Sequence, residues 1–159
     1  MPEVTNRTVI AAPLETVYQA AQDIEGLAAF IDDVESITVT ARREGETGPE
    51  TVTDWVGLLP EFRRKLRWTE QDWWDDVAHQ CRFRQTEGDF DRYEGEWRFH
   101  AEDGGTVVEL VVVYEYDVPL IGPLVQKLVL KKVQQSVDSM QAGLKRRAEG
   151  ARGEVPPAR

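Results

Sequence analysis

A stretch near the C-terminus constrains the fold more than any other part of the chain. Between Leu120 and Glu149, apolar side chains recur at intervals of three, four and five residues, which predicts one long amphipathic helix. At ~1.5 Å per residue, such a helix is roughly 45 Å long and needs a broad apolar surface to lie on. The predicted apolar stripe consists of Leu124, Leu128, Val133, Val137, Met140 and Leu144, with Val125 and Val129 beside it.

The middle of the chain is typical of an antiparallel sheet. Apolar and polar residues alternate in short runs, and turn-forming residues such as Gly and Asp separate the runs. Short connections favour antiparallel neighbours, and one apolar face per strand predicts that one face of the sheet is covered. The predicted strands are 4–11, 35–43, 51–59, 62–69, 78–86, 93–100 and 106–118; two short helices follow the first strand, at 14–23 and 27–31, and 70–76 is predicted as a polar-aromatic connection.

Composition indicates a single globular domain. Of 159 residues, 41% are apolar and 30% charged, as in folded soluble domains. No apolar run approaches the ~18 residues of a membrane span, and the N-terminus lacks the pattern of a secretory signal. With its single cysteine, Cys81, the chain is predicted to be cytoplasmic. We predict one domain over residues 1–149 and a disordered tail over 150–159.

The charge is uneven along the chain. A net charge of −10 argues against DNA or other nucleic acids as partners, because phosphate binding needs Lys and Arg. Residues 70–117 carry 4 basic and 14 acidic side chains, whereas residues 118–159 carry 8 and 3. The basic helix is interpreted either as a solvated face or as a docking face for an anionic membrane surface or the ribosome. We favour the solvated face, because these charges do not form a dense cluster.

The strand alternation places an aromatic-rich set on the face that meets the long helix. Such a set either fills the interior or lines a small-molecule cavity; for the set as a whole we expect a cavity. The predicted ligand-binding residues are Phe30, Trp55, Arg64, Leu66, Trp68, Phe83, Tyr93, Trp97, Val112, Tyr114, Leu124 and Leu128.

Arg64 is the most informative single residue of this set. It is separated from Leu66 and Trp68 by even numbers of residues, so it lies on the same face of the predicted strand (the same parity). This points its guanidinium inward, where an unpaired charge is costly. There it would orient a carboxylate, phenolate or carbonyl of a ligand. The alternatives are a register shift or an ion pair with Glu70 or Asp54.

The remaining reactive side chains indicate little chemistry. His79 and His100 lack further ligands at metal-binding spacing, so neither a metal nor a cofactor is predicted. Cys81 and His79 share a strand face and form a conceivable nucleophile pair, but a small core thiol is the favoured interpretation.

Several segments resemble the START-like (SRPBCC) superfamily, in particular its small bacterial polyketide cyclase/dehydrase members. The segments are IAAPLETVY from Ile10, DIEGL from Asp23, GDFDRYEGEW from Gly88 and YEYDVPLIGPLVQKL from Tyr114. The resemblance implies an α+β helix-grip fold: a curved antiparallel sheet of about seven strands wrapped round the long C-terminal helix, with two short helices after strand 1.

Three functions are compatible with this reading. The first is a carrier or sensor of a small hydrophobic molecule, such as a lipid, quinone, isoprenoid or polyketide-like compound. The second, which the resemblance implies, is a polyketide cyclase/dehydrase (aromatase) that acts on a poly-β-ketone chain with Arg64, Tyr93 and Tyr114 as catalytic residues. The third is an interaction module that docks through the basic helix. The sequence leaves the oligomeric state open.

Overall fold

The computed structural model describes residues 2–60, 63–116 and 122–153. Among the described residues, seven strands and three helices follow one another as the sequence predicts, and a 3-10 turn, Ala28–Phe30, follows the second helix. The elements are β1 (Glu3–Ile10), α1 (Leu14–Gln22), α2 (Ile24–Leu27), β2 (Val34–Glu44), β3 (Pro49–Leu59), β4 (Arg64–Asp75), β5 (Gln80–Gly88), β6 (Arg92–Glu102), β7 (Gly105–Glu115) and α3 (Pro123–Gly153).

The strands form one antiparallel sheet in the order β1-β7-β6-β5-β4-β3-β2. Strands β2 to β7 are sequential neighbours, as short hairpin connections require. β1 pairs with β7 instead, from Glu3 opposite Val113 to Ile10 opposite Thr106. The curved sheet, the long helix and the short helices after β1 confirm the predicted α+β helix-grip fold.

α3 lies on the sheet through a stripe that differs from the predicted one. The buried stripe consists of Val129, Val133, Val137, Met140, Leu144 and Ala148. Leu124 is 72% exposed and Leu128 36% exposed, so the prediction that these leucines face the sheet is wrong. A step of five residues, from Leu128 to Val133, turns a helix by about 500°, which leaves the leucines on a different face.

A second correction concerns residues 70–76. They were predicted as a connection, but β4 continues to Asp75. Glu70, Asp72 and Trp74 are buried, and they share the parity of Leu66 and Trp68, so the strand keeps one face on the interior.

The ends of the predicted elements shift by a few residues. α3 extends to Gly153, whereas residues 154–159 of the predicted tail and Phe62 of the fourth predicted strand lie outside the described residues. No helix within the described ranges is long and apolar enough to cross a membrane.

Candidate functional site

A cleft opens between the β3–β4 hairpin and the first half of α3. Its cavity volume is about 50 Å³, and the space reaches about 530 Å³ when the open solvent at the mouth is included. Gly57 faces Leu66 across the hairpin, and its missing side chain leaves room in the sheet wall. The lining residues are Asp33, Val34, Gly57, Leu58, Leu59, Leu66, Trp68, Phe90 and Tyr93 on the sheet side, and Val129, Lys132, Val133 and Ser136 on α3.

Aromatic rings form the inner end of the cleft. Trp68 stacks on its cross-strand partner Trp55, with ring centroids 5.4 Å apart and planes 12° from parallel. Tyr93 packs against Trp68 at 5.1 Å and against Phe90 at 4.8 Å. Large rings that pack on one another lose little freedom when a ligand binds, so this wall is pre-organised.

Two carboxyl groups lie side by side in the interior next to this wall. Glu70 is 3% and Asp72 7% exposed. The Trp68 Nε1–H donates to Glu70 Oε1 at 2.9 Å. The hydroxyls of Thr51 and Thr53 donate to Asp72 Oδ2 at 3.1 and 2.9 Å. Neutral donors from β3 and β4 therefore hold both carboxyls in place.

Burial raises the pKa of both carboxyls. Desolvation, followed by the charge of Asp72, raises the pKa of Glu70 well above its ordinary value. Desolvation also raises the pKa of Asp72, and the hydrogen bonds it accepts from Glu70, Thr53 and Thr51 oppose that rise. Glu70 is therefore the member of the pair that holds a proton more readily, and Asp72 is the member that ionises first.

Two tyrosines also face the interior. Burial raises the pKa of Tyr114 to about 12. Burial, and then the charge of Glu70, raises the pKa of the Tyr93 phenol. Within the described part of the chain, the Tyr93 hydroxyl has no hydrogen-bond partner. A neutral phenol at the inner end of the cleft is therefore available to a ligand.

The structure brings three of the predicted ligand-binding residues together at the cleft: Leu66, Trp68 and Tyr93. Five others are buried in the surrounding core and do not line it, namely Trp55, Phe83, Trp97, Val112 and Tyr114. Phe30 is half-buried and does not line the cleft, and its carbonyl accepts a hydrogen bond from Arg146 of α3. Leu124 and Leu128 are exposed and do not line the cleft. Whether any of these residues binds a ligand stays a prediction.

The inward orientation predicted for Arg64 is wrong. Arg64 has the parity of Leu66, but it is the first residue of β4 and is exposed. Its guanidinium lies 3.5 Å from the hydroxyl of Tyr116, to which it donates. Next to the turn of the β3–β4 hairpin, where Arg64 pairs with Leu59, water solvates the charge, so alternation along the strand alone does not force burial there.

The histidines and the cysteine take separate structural positions. His79 Nε2 lies 2.6 Å from the Glu15 carboxylate, and its ring packs on Tyr18. Cys81 is buried, and burial raises the pKa of its thiol, which argues against a nucleophilic role. His100 is exposed, 3.4 Å from Glu102. Within the described ranges, no three His, Cys, Asp or Glu side chains are placed to hold a metal ion.

Sequence reasoning missed the carboxyl pair and part of the helix wall. The signal for Glu70 and Asp72 was present, because they continue the parity of Leu66 and Trp68. On α3, Val129 and Ser136 line the cleft. They lie four residues before and three residues after Val133, so helical spacing from Val133 places them on the same face.

Comparisons with known proteins agree with this architecture. The family model described as polyketide cyclase/dehydrase and lipid transport matches residues 10–141. No curated protein matches the chain in sequence. The crystal structure of TTHA0849 from Thermus thermophilus is 44% identical, with a TM-score of 0.86, over 94% of this chain and 99% of that one.

More distant structures share the fold. The Zhui aromatase/cyclase from a Streptomyces species is 19% identical, with a TM-score of 0.71, over 97% of this chain and 99% of that one. A START superfamily protein from Mycobacterium smegmatis is 16% identical, also with a TM-score of 0.71, over 94% of this chain and 98% of that one. The helix-grip architecture and the family match over most of its length show that the chain belongs to the polyketide cyclase/dehydrase and lipid transport family of the START-like superfamily.

Proposed function

We propose that the chain binds a small hydrophobic molecule, such as a lipid, quinone, isoprenoid or polyketide-like compound, in the cleft and acts as its carrier or sensor. The observation that supports this most is the composition of the walls. Trp68, Tyr93 and Phe90 face Val129 and Val133 across the cleft. A concave, mostly apolar site with few polar groups is the usual form of a small-molecule site.

Direct binding tests this proposal. We expect native mass spectrometry of freshly purified protein to retain a hydrophobic ligand, and we expect Nile red, an uncharged apolar dye, to bind with enhanced fluorescence. Ser136→Leu places an apolar side chain in the cleft from α3 and should weaken Nile red binding about tenfold, because ~1.4 kcal/mol of lost contact corresponds to that factor.

The matched control is Gln135→Leu, which adds the same side chain on the exposed face of α3. It should bind Nile red within about twofold of the wild type, well below the effect of a 1.4 kcal/mol change. Equal binding by both variants would locate the dye elsewhere. A wild-type protein that carries no ligand and binds no apolar probe would refute the proposal.

A second candidate function is cyclisation and dehydration of a poly-β-ketone chain. The observation that favours it is the buried Tyr93 phenol close to the buried carboxyls Glu70 and Asp72. In this reaction Tyr93 would donate a hydrogen bond to a ketone oxygen, and Tyr114 lies nearby in the same core. Arg64, which is exposed and does not line the cleft, takes no part in this proposed reaction.

Turnover of a synthetic poly-β-ketone thioester tests the enzymatic alternative, with loss of water followed by mass spectrometry. Tyr93→Phe should lower the rate about 10²- to 10⁴-fold, the usual contribution of a positioned proton donor. Tyr116→Phe, which removes the hydroxyl that Arg64 contacts, is the control and should retain the rate. A full rate in Tyr93→Phe would remove Tyr93 from catalysis.

A further inference from the structure

The inner end of the cleft adjoins a negative charge that no described cation neutralises. Two adjacent buried carboxyls do not ionise together readily, so the Glu70–Asp72 pair carries at most about one negative charge, on Asp72. Among residues 2–60, 63–116 and 122–150, no Lys, Arg or His forms an ion pair with either carboxyl. The groups that donate to them, the indole of Trp68 and the hydroxyls of Thr51 and Thr53, are neutral.

Tyr93 connects this charge to the cleft. Its side chain is only 5% exposed and lines the cleft, where its ring packs between Trp68 and Phe90. Its hydroxyl is without a hydrogen-bond partner among the described residues. The Tyr93 hydroxyl is not among the fully buried polar atoms that lack a partner, so it is open to the cleft, and a ligand oxygen that accepts from it gains one hydrogen bond.

The lining residues that the structure describes provide no free cation that would offset the negative charge of the Glu70–Asp72 pair. Lys132 is the one cation among the described lining residues, and its ammonium lies 3.2 Å from the Asp33 carboxylate, which also lines the cleft. A carboxylate that enters the cleft would therefore find its nearest cation already paired.

We propose that the inner end of the cleft selects ligands whose polar group is an uncharged oxygen acceptor, such as a ketone or quinone carbonyl, and excludes carboxylates. The Tyr93 hydroxyl donates a hydrogen bond to that oxygen. A carboxylate in the same position loses its hydration and is repelled by the Glu70–Asp72 pair through a medium of low dielectric constant. The inference rests on the proposed function and names the ligand class of the same cleft.

Two probes of nearly equal size test this selectivity. 2-Acetylnaphthalene and 2-naphthoate share a ring system and differ in carrying a methyl ketone or a carboxylate. At pH 7 we expect the ketone to displace Nile red at a concentration at least about tenfold lower than the carboxylate, which corresponds to ~1.4 kcal/mol. A carboxylate that binds as tightly as the ketone, or a ketone that fails to displace the dye, would overturn the selectivity but leave the proposed function standing. Failure of Nile red itself to bind would defeat both.

Variants locate the source of the preference. Asp72→Asn removes the charge while Glu70 stays protonated. The ratio of ketone affinity to carboxylate affinity should then fall from about tenfold to about threefold or less, which is less than half of the original difference in binding free energy. Asp54→Asn removes an equal charge on the exposed face of β3 and should leave the ratio unchanged.

Tyr93→Phe keeps the ring and supplies a second test if Asp72→Asn fails to fold. It should weaken ketone binding about three- to tenfold, the range expected for one lost hydrogen bond, without improving carboxylate binding. A folded Asp72→Asn variant with the wild-type ratio, or a Tyr93→Phe variant with wild-type ketone affinity, would contradict the assignment.

Discussion

At the residue scale, the Glu70–Asp72 pair is the feature that departs most from an ordinary sheet interior. Buried carboxylates are usually paired with cations, but the described side chains that donate to this pair, Thr51, Thr53 and Trp68, are neutral. A proton held in the interior couples folding to pH. Asp72 is the charged group that faces Glu70, and Tyr93 and Cys81 are the nearby neutral titratable groups.

The sign of this pH dependence follows from the raised pKa of Glu70. Above its ordinary value of 4.5, the unfolded chain releases this proton and the folded chain keeps it. The free energy of unfolding therefore falls as pH rises, by up to about 1.4 kcal/mol per pH unit, until the folded-state pKa is reached. Glu70→Gln should remove this contribution, since the amide donates to Asp72 and accepts from Trp68 without titrating.

Urea unfolding between pH 5 and pH 8 measures this effect. The stability of Glu70→Gln relative to the wild type should increase with pH across this range. Glu87→Gln, an exposed position of β5, is the control and should follow the wild-type curve. Parallel curves for the wild type and Glu70→Gln would mean that Glu70 is not protonated in the folded state.

The residue-scale errors in the sequence analysis have a common physical origin. The polar composition of residues 70–76 is typical of a connection, but their apolar and buried positions continue the period of two set by Leu66 and Trp68. The same alternation predicts that Arg64 faces inward, but it implies burial only where the strand is covered, and Arg64 is exposed at the start of β4. Alternation along a strand predicts on which face of the sheet a residue lies. Whether the residue is buried depends on whether another element covers that part of the strand.

At the element scale, basic residues in the C-terminal half of α3 form hydrogen bonds with the backbone of neighbouring elements. Lys145 donates to the carbonyl of Val9 at 2.9 Å, and Arg146 donates to that of Phe30 at 2.6 Å. Arg147 donates to the carbonyls of Ala20 and Asp23 and pairs with the Asp23 carboxylate. These cations satisfy carbonyls at the ends of β1, α1 and the 3-10 turn, so this part of the basic helix has a structural role.

The same helix contains a close approach that requires glycine. A Cβ on Gly143 would lie 2.5 Å from the Phe30 carbonyl oxygen, whereas one on Gly150 would meet nothing within 4 Å. Gly143→Ala gains up to ~1 kcal/mol of helix propensity, but the overlap forces α3 away from the 3-10 turn at a cost of about 1–3 kcal/mol. We therefore expect Gly143→Ala to be destabilising overall.

Gly150→Ala provides the matched control in the same helix. It should be neutral or stabilising by up to ~1 kcal/mol, because the propensity gain meets no opposing contact. Chemical denaturation of both variants measures the difference directly. A Gly143→Ala variant at least as stable as Gly150→Ala would show that the helix and the turn are not in close contact.

At the scale of the whole molecule, the architecture was the most predictable property. The change of period from two to 3.6 at the start of α3, and the turn residues between strands, determine the order of elements. The cleft was predictable only in outline. Its walls depend on the absent side chain of Gly57 and on the rotation of α3 about its axis, and neither is encoded in a local pattern.

The net charge of −10 should destabilise the compact molecule through self-repulsion. Raising NaCl from about 0.02 to 0.5 M screens this repulsion. We expect a gain on the order of 1 kcal/mol, seen as a Tm higher by about 2–4 °C for a domain of this size. Salt also weakens exposed ion pairs such as Arg7–Glu102, but each contributes only ~0–1 kcal/mol.

Charge reversal separates these opposing effects of salt. Glu46 is exposed in the β2–β3 turn, and Glu46→Lys lowers the net negative charge by two. The variant should melt at a higher temperature than the wild type in low salt, and the gap should narrow as salt is added, because screening acts on the same repulsion. A wild-type Tm that falls with NaCl would instead show that attractive ion pairs outweigh the self-repulsion of the acidic sheet.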